Sequence, residues 1–70
     1  MNDLAQRLHG AALDHLIGAS PPTLADTARR LAPTLKIRDM VTAIEWLEEP
    51  GVTAASIGPW LEARAREAPP

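Results

Sequence analysis

Hydrophobic residues recur along this chain in four short segments, each with the spacing of an amphipathic helix. The most regular segment has apolar side chains at positions i, i+3, i+4, i+7 and i+10, which are Ile37, Met40, Val41, Ile44 and Leu47. This spacing predicts a third helix that ends at Pro50-Gly51 and turns one face toward a core.

The first segment predicts a helix over about residues 4–17, with Asn2 or Asp3 as its N-cap and Gly18 as a left-handed stop. At ~100° per residue, most of its apolar residues fall on one broad side. They are Leu8, Ala12, Ala5, Leu16 and Leu13. We therefore expect this broad side to face the core.

The second helix is predicted to open at Thr23 as N-cap, with Asp26 completing a variant of the capping box. Its apolar stripe consists of Leu24, Ala28, Leu31 and Leu35. Pro33 lacks the N–H that a helix interior needs. The helix therefore ends at residue 31 or 32, or else Pro33 begins the next helix.

The fourth segment begins after Thr53, a candidate cap, and carries Ile57, Leu61 and Ala65 on one side. Gly58-Pro59 interrupts it. Two interpretations stay open: a single turn at 54–57 followed by a helix over 59–67, or one kinked helix.

These elements predict the all-α class, as a small compact bundle of three to four helices with short proline-marked turns. No segment alternates with period two, so we expect no sheet. Residues 1–67 are predicted to form a single helical domain. Residues 68–70 then form a tail or the start of a linker, and one hypothesis is that the chain is the N-terminal domain of a longer protein.

Composition places the chain among ordinary soluble domains, with 46% apolar and 23% charged residues. It has no cysteine, no signal-like N-terminus and no apolar run of the ~18 residues that a membrane span needs. We therefore expect a cytoplasmic protein with no membrane association. Arginine supplies most of the basic residues and alanine is abundant, a bias typical of GC-rich bacterial genes.

Few residues offer catalytic or metal-binding chemistry. His9 and His15 are six positions apart, about 120° around one helix, whereas zinc ligation from one helix uses i and i+4. We expect both to be structural residues at the edge of the core, each with one hydrogen-bonded ring nitrogen. The acids Glu45 and Glu49 fit a solvated face, and the glycines are isolated. The sequence therefore predicts no enzyme, no cofactor and no metal.

Tryptophan suggests a different role. Trp46 lies ~150° from the centre of the third helix's apolar stripe, so we expect it to face away from the core. Exposed tryptophan is enriched at interface hot spots. The predicted function is a protein–protein interaction module: an adaptor, docking domain, or regulatory or chaperone-like binder that recognises a partner by a helical surface. Trp46 and Trp60 are the predicted anchors, with Arg29, Arg30 and Glu49 as rim charges.

Charge is distributed unevenly along the chain. Residues 1–38 carry five basic and three acidic side chains, and residues 39–70 carry two basic and six acidic ones. Such a dipole favours an oriented protein partner or association between copies of the chain. A homo-oligomer is therefore a further expectation.

Residues 23–31 and 40–51 are similar to the helix-turn-helix core of winged-helix regulators. The resemblance implies DNA binding through helices two and three, which is the alternative function. Ala32-Pro33 stands where that family favours glycine, and the region after Gly51 predicts a helix instead of a β wing. The third helix is also net acidic, whereas phosphate binding needs cations, so nucleic acid is not the expected partner.

Overall fold

The computed structural model describes residues 3–67, which form four α-helices and one short 3-10 helix. The helices are α1 (Asp3–Ala19), α2 (Pro22–Leu31), α3 (Ile37–Leu47) and α4 (Ala54–Glu67), with the 3-10 turn at Ala32–Thr34. The described part of the chain contains no strand. The predicted all-α bundle is confirmed.

Helix α1 is longer than predicted. It continues through Gly18, which has no positive φ, so the expected left-handed stop is wrong. The helix ends instead where the Ser20 hydroxyl donates to the Leu16 carbonyl and Pro21 follows. At the other end Asp3 lies inside the first turn, and Asn2 is outside the described residues.

Helix α2 begins one residue earlier than its predicted cap. Pro21 occupies the N-cap position without a side-chain bond, and Pro22 is the first helical residue, where a missing N–H costs nothing. The assignment of Thr23 as N-cap is therefore wrong. The Thr23 carbonyl instead accepts a hydrogen bond from the Thr27 hydroxyl at 3.1 Å. Helix α2 ends at Leu31, one of the predicted alternatives.

Helix α4 is one continuous helix with Pro59 inside it. The alternative of a separate turn at 54–57 is therefore wrong. Pro59 has no N–H to donate to the carbonyl of Ala55, but Ala55 is exposed, where water can satisfy that carbonyl. At its start, the amides of Ser56 and Ile57 donate to the Thr53 carbonyl at 3.0 and 3.1 Å.

The core lies where the four helices meet. Helices α1 and α4 each pack against both α2 and α3. Every helix supplies at least one of the largest fully buried side chains, which are Leu16, Leu24, Met40, Ile57 and Leu61. The four helices thus share a core of few large residues, and small residues such as Ala28 and Ala43 let them approach closely.

The buried face of α3 is rotated from the predicted stripe. Met40 and Ala43 are fully buried, whereas Val41 is 43% exposed. Ala43 lies ~100° from Ile44, the centre of the predicted stripe. The cause is that α3 packs against both α1 and α4, so two neighbours determine which arc is covered.

Gly51 is the residue at which the α3–α4 turn needs glycine. Its φ is +86°, and an added Cβ would meet no atom within 4 Å, so backbone conformation alone opposes a side chain there. We expect Gly51→Ala to lower the free energy of unfolding by about 1–2 kcal/mol in chemical denaturation.

The matched control is Gly10→Ala, in the middle of α1, where a Cβ also meets open space but φ is not positive. That change should raise the free energy of unfolding by roughly 0.5–1 kcal/mol. Equal effects of the two substitutions would contradict the left-handed turn.

Candidate functional site

The two tryptophans come together from α3 and α4. Their ring centroids are 4.8 Å apart with planes inclined at 56°, a tilted arrangement that aromatic quadrupoles favour. Both side chains are half-buried and pack against the core. The Arg64 guanidinium lies 5.3 Å from the Trp60 centroid, within cation–π range.

This pairing corrects the expected orientation of Trp46. The side chain does not face away from the bundle, because α4 covers that side of α3 and supplies Trp60 as its neighbour. Part of the indole remains accessible. Glu49, the predicted rim charge, is exposed in the following turn, and its amide donates to the Trp46 carbonyl at 3.0 Å.

The structure does not bring the predicted rim arginines to the tryptophan pair. Arg30 is bonded to Glu62 of α4 at 2.8 Å, and Arg29 to Asp26 at 3.0 Å. Glu62 lies about 160° from Trp60 around α4, so this helix separates the two groups. Both arginines are exposed on another edge of the bundle.

A second apolar surface lies at the start of α1, where residues 3–8 are all exposed. We call this segment the α1 arm. Leu4 is 69% exposed and Leu8 52% exposed. Helix α1 has 17 residues, more than any other helix here, and its burial begins only after these first two turns.

His9 marks the base of the α1 arm. It is half-buried, and its Nε2 donates to the Leu35 carbonyl at 3.1 Å, 26 residues away in the chain. The bond joins α1 to the segment that precedes α3. His9 thus has the structural role expected of it, whereas His15 is exposed and makes no described hydrogen bond.

The arm leucines were missed as surface residues, because the helical pattern assigned Leu8 to the core-facing side. One signal was present in the sequence. The apolar arc from Leu4 to Leu13 covers ~180° of α1, wider than the ~100° stripe that a single core contact covers. Such an arc has room for a second, outward-facing surface.

Other features offer little chemistry. A shallow pocket of about 230 Å³ between α2 and α4 is lined by Thr23, Leu24, Thr27, Ala54, Ala55 and Gly58, none of them ionisable. Within residues 3–67, no three potential ligand side chains are grouped to hold a metal ion. Asp39 is the buried ionisable residue among residues 3–67, with 8% of its surface exposed. It lies in the first turn of α3, where the helix dipole stabilises a negative charge.

The α2–α3 unit can be compared with a helix-turn-helix. Residues 32–36 connect the two helices, and α4 follows α3 where winged-helix regulators have a β wing. Two basic and two acidic residues are exposed on α3 and its caps: Lys36, Arg38, Glu45 and Glu48. This surface therefore has no excess of positive charge, whereas binding a DNA backbone uses an excess of cations.

Comparison with known proteins adds no relative: no protein-family model, no curated protein and no solved structure matches this chain significantly. Within residues 3–67, no helix has both the length and the apolar character that crossing a bilayer requires.

The bond at the base of the arm should contribute to stability. We expect His9→Ala to lower the free energy of unfolding by about 1 kcal/mol, because the Leu35 carbonyl loses its donor. The measurement is urea denaturation, with exposed His15→Ala as the control expected to stay within about 0.5 kcal/mol of wild type. Equal losses would show that the bond contributes nothing.

The tryptophan pair should behave as part of the packed structure. Trp46→Ala is expected to lower the free energy of unfolding by about 2 kcal/mol, roughly half the loss for a fully buried aromatic residue. Val41→Ala, at an exposed apolar position of the same helix, should change stability by less than about 0.5 kcal/mol. Thermal unfolding measures both, and an unchanged melting temperature for Trp46→Ala would contradict the pairing.

Proposed function

We propose that this chain is a small protein–protein interaction module, an adaptor, docking domain, or regulatory or chaperone-like binder, that acts in the cytoplasm. Its main contact surface is the α1 arm, with Leu4 and Leu8 as anchors. The observation that carries the proposal is the exposure of these two leucines, 69% and 52%, on a helical segment in which every residue is exposed.

The energetics of the arm support a partner. Burying a leucine side chain contributes roughly 1.5–3 kcal/mol, and neither arm leucine gains this fully within the bundle. A helical segment of two turns is also marginal without packing. A partner that covers the arm would therefore gain hydrophobic contact and stabilise the helix at once.

The arrangement of the anchors fits a helix-in-groove mode of binding. Leu4 and Leu8 have i, i+4 spacing, and Ala11 continues the same side as an exposed i+7 residue. The His9–Leu35 bond holds the base of the arm against the bundle. An arm held in a helix needs less ordering on binding than a flexible segment.

The tryptophan pair is the second surface of the proposal. The partly accessible indoles of Trp46 and Trp60 present an aromatic patch, with Glu49 in the turn after Trp46 and the Arg64 guanidinium over the Trp60 ring. Arg29 and Arg30 would contact the same partner only if it reached around α4. We therefore rank this surface below the arm.

The two surfaces can be separated by photo-crosslinking in cells. A photoreactive amino acid is placed at position 8 for the arm, at position 49 for the tryptophan patch and at exposed position 66 as control. We expect a specific adduct from position 8, and we expect Leu4→Ser to abolish it while leaving the fold intact by circular dichroism. The arm lies outside the core, so folding does not depend on it.

Adducts from position 49 alone would move the interaction to the tryptophan patch and contradict the arm as main surface. Equal labelling from positions 8, 49 and 66 would contradict a defined docking surface altogether.

A further inference from the structure

The exposed side of α1 does not stop at the arm. Leu4, Leu8, Ala11 and His15 lie within an arc of ~60° and all are exposed. We call these four residues the α1 face. The face runs along most of a 17-residue helix, on a different side from the fully buried Leu16.

One edge of the α1 face carries three charged residues, Asp3, Arg7 and Asp14. Arg7 and Asp14 are seven residues apart, so they occupy almost the same angle around the helix. Both are exposed, and neither belongs to the ion pairs found among residues 3–67. The edge therefore presents one positive charge, at Arg7, between the negative charges of Asp3 and Asp14.

Such an edge is complementary to itself under a two-fold axis. When two identical helices pack antiparallel, the same edge of each lies on the same side of the pair. An axis midway between Arg7 and Asp14, at the level of Ala11, places Arg7 of one copy opposite Asp14 of the other. The two-fold axis therefore generates two Arg7–Asp14 ion pairs between the copies.

We propose that the partner seated on the α1 face is a second copy of this chain, packed antiparallel through α1. This inference rests on the proposed function, because it uses the same leucines. In this register Leu8 of one copy packs against Ala11 of the other. Leu4 of each copy lies further from the axis, near His15 of the other copy. Ala11 is a small residue of the face close to the axis, and it allows the helices to approach to the ~8–10 Å of normal helix packing.

The size of the face determines the strength of the association. At ~1.5 Å per residue α1 is about 25 Å long, and one helix–helix contact of this length buries less than the ~800 Å² per partner typical of stable complexes. The dimer is therefore reversible, and its charge pairs contribute a measurable share of its affinity.

Charge reversal tests the arrangement by sedimentation equilibrium of the full chain at low salt. Arg7→Glu places two acids opposite each other, and Asp14→Arg places two bases opposite each other. Each is expected to weaken dimerisation by about tenfold or more. The double variant R7E/D14R should regain dimerisation, and an equimolar mixture of the two single variants should form heterodimers.

Arg66→Glu and Glu45→Arg are the matched controls, since they reverse exposed charges away from the α1 face. They should leave the dimer within about twofold of wild type, given the weak effect of distant screened charges. A monomeric wild-type chain at millimolar concentration, or failure of the double variant to recover, would overturn the antiparallel pairing.

The result also separates this inference from the proposed function. If the chain stays monomeric but the photo-crosslinker at position 8 captures a different protein, the second copy is excluded and the arm remains a docking surface. If the chain dimerises and Leu4→Ser does not weaken the dimer, the copies meet elsewhere and the α1 face is overturned as their interface.

Discussion

The structure depends on a core in which each of four helices supplies at least one large side chain to a single meeting point. Leu16, Leu24, Met40, Ile57 and Leu61 are fully buried there, and alanines fill the space between the helices. So small a core covers only a short length of each helix. Helix α1, the longest, therefore continues past it, and its first two turns stay exposed.

This constraint connects stability with recognition. Leu4 and Leu8 are the most exposed large apolar side chains of the described bundle, and their burial would add most to a 70-residue chain with no disulfide. The His9–Leu35 bond ties the base of that exposed segment to the bundle. A domain built in this way gains stability from whatever covers α1, so binding and folding draw on the same apolar surface.

The tryptophans illustrate how one residue type can serve either to bind a partner or to pack two helices together. A single-helix pattern placed Trp46 opposite the apolar stripe of α3, which is where a binding anchor would lie. In the structure α4 covers that side, Trp60 packs 4.8 Å away, and Arg64 lies over the second ring. The aromatic surface is thus used mainly to join two helices, and the candidate contact surface moves to α1.

Local sequence was sufficient for the existence of the four helices and for the breaks near Pro33 and Pro50-Gly51, because backbone sterics and apolar spacing act within a few residues. It also identified the core leucines of α2 and α4. It misplaced the ends of α1 and α3 and the start of α2. Only the tertiary structure decided which arc of α1 and α3 is buried, and therefore that Leu8 and Val41 are exposed and Trp46 is covered. The physical reason is that exposure depends on how many neighbours a helix has and how far it extends past them, and neither quantity is encoded in its own periodicity.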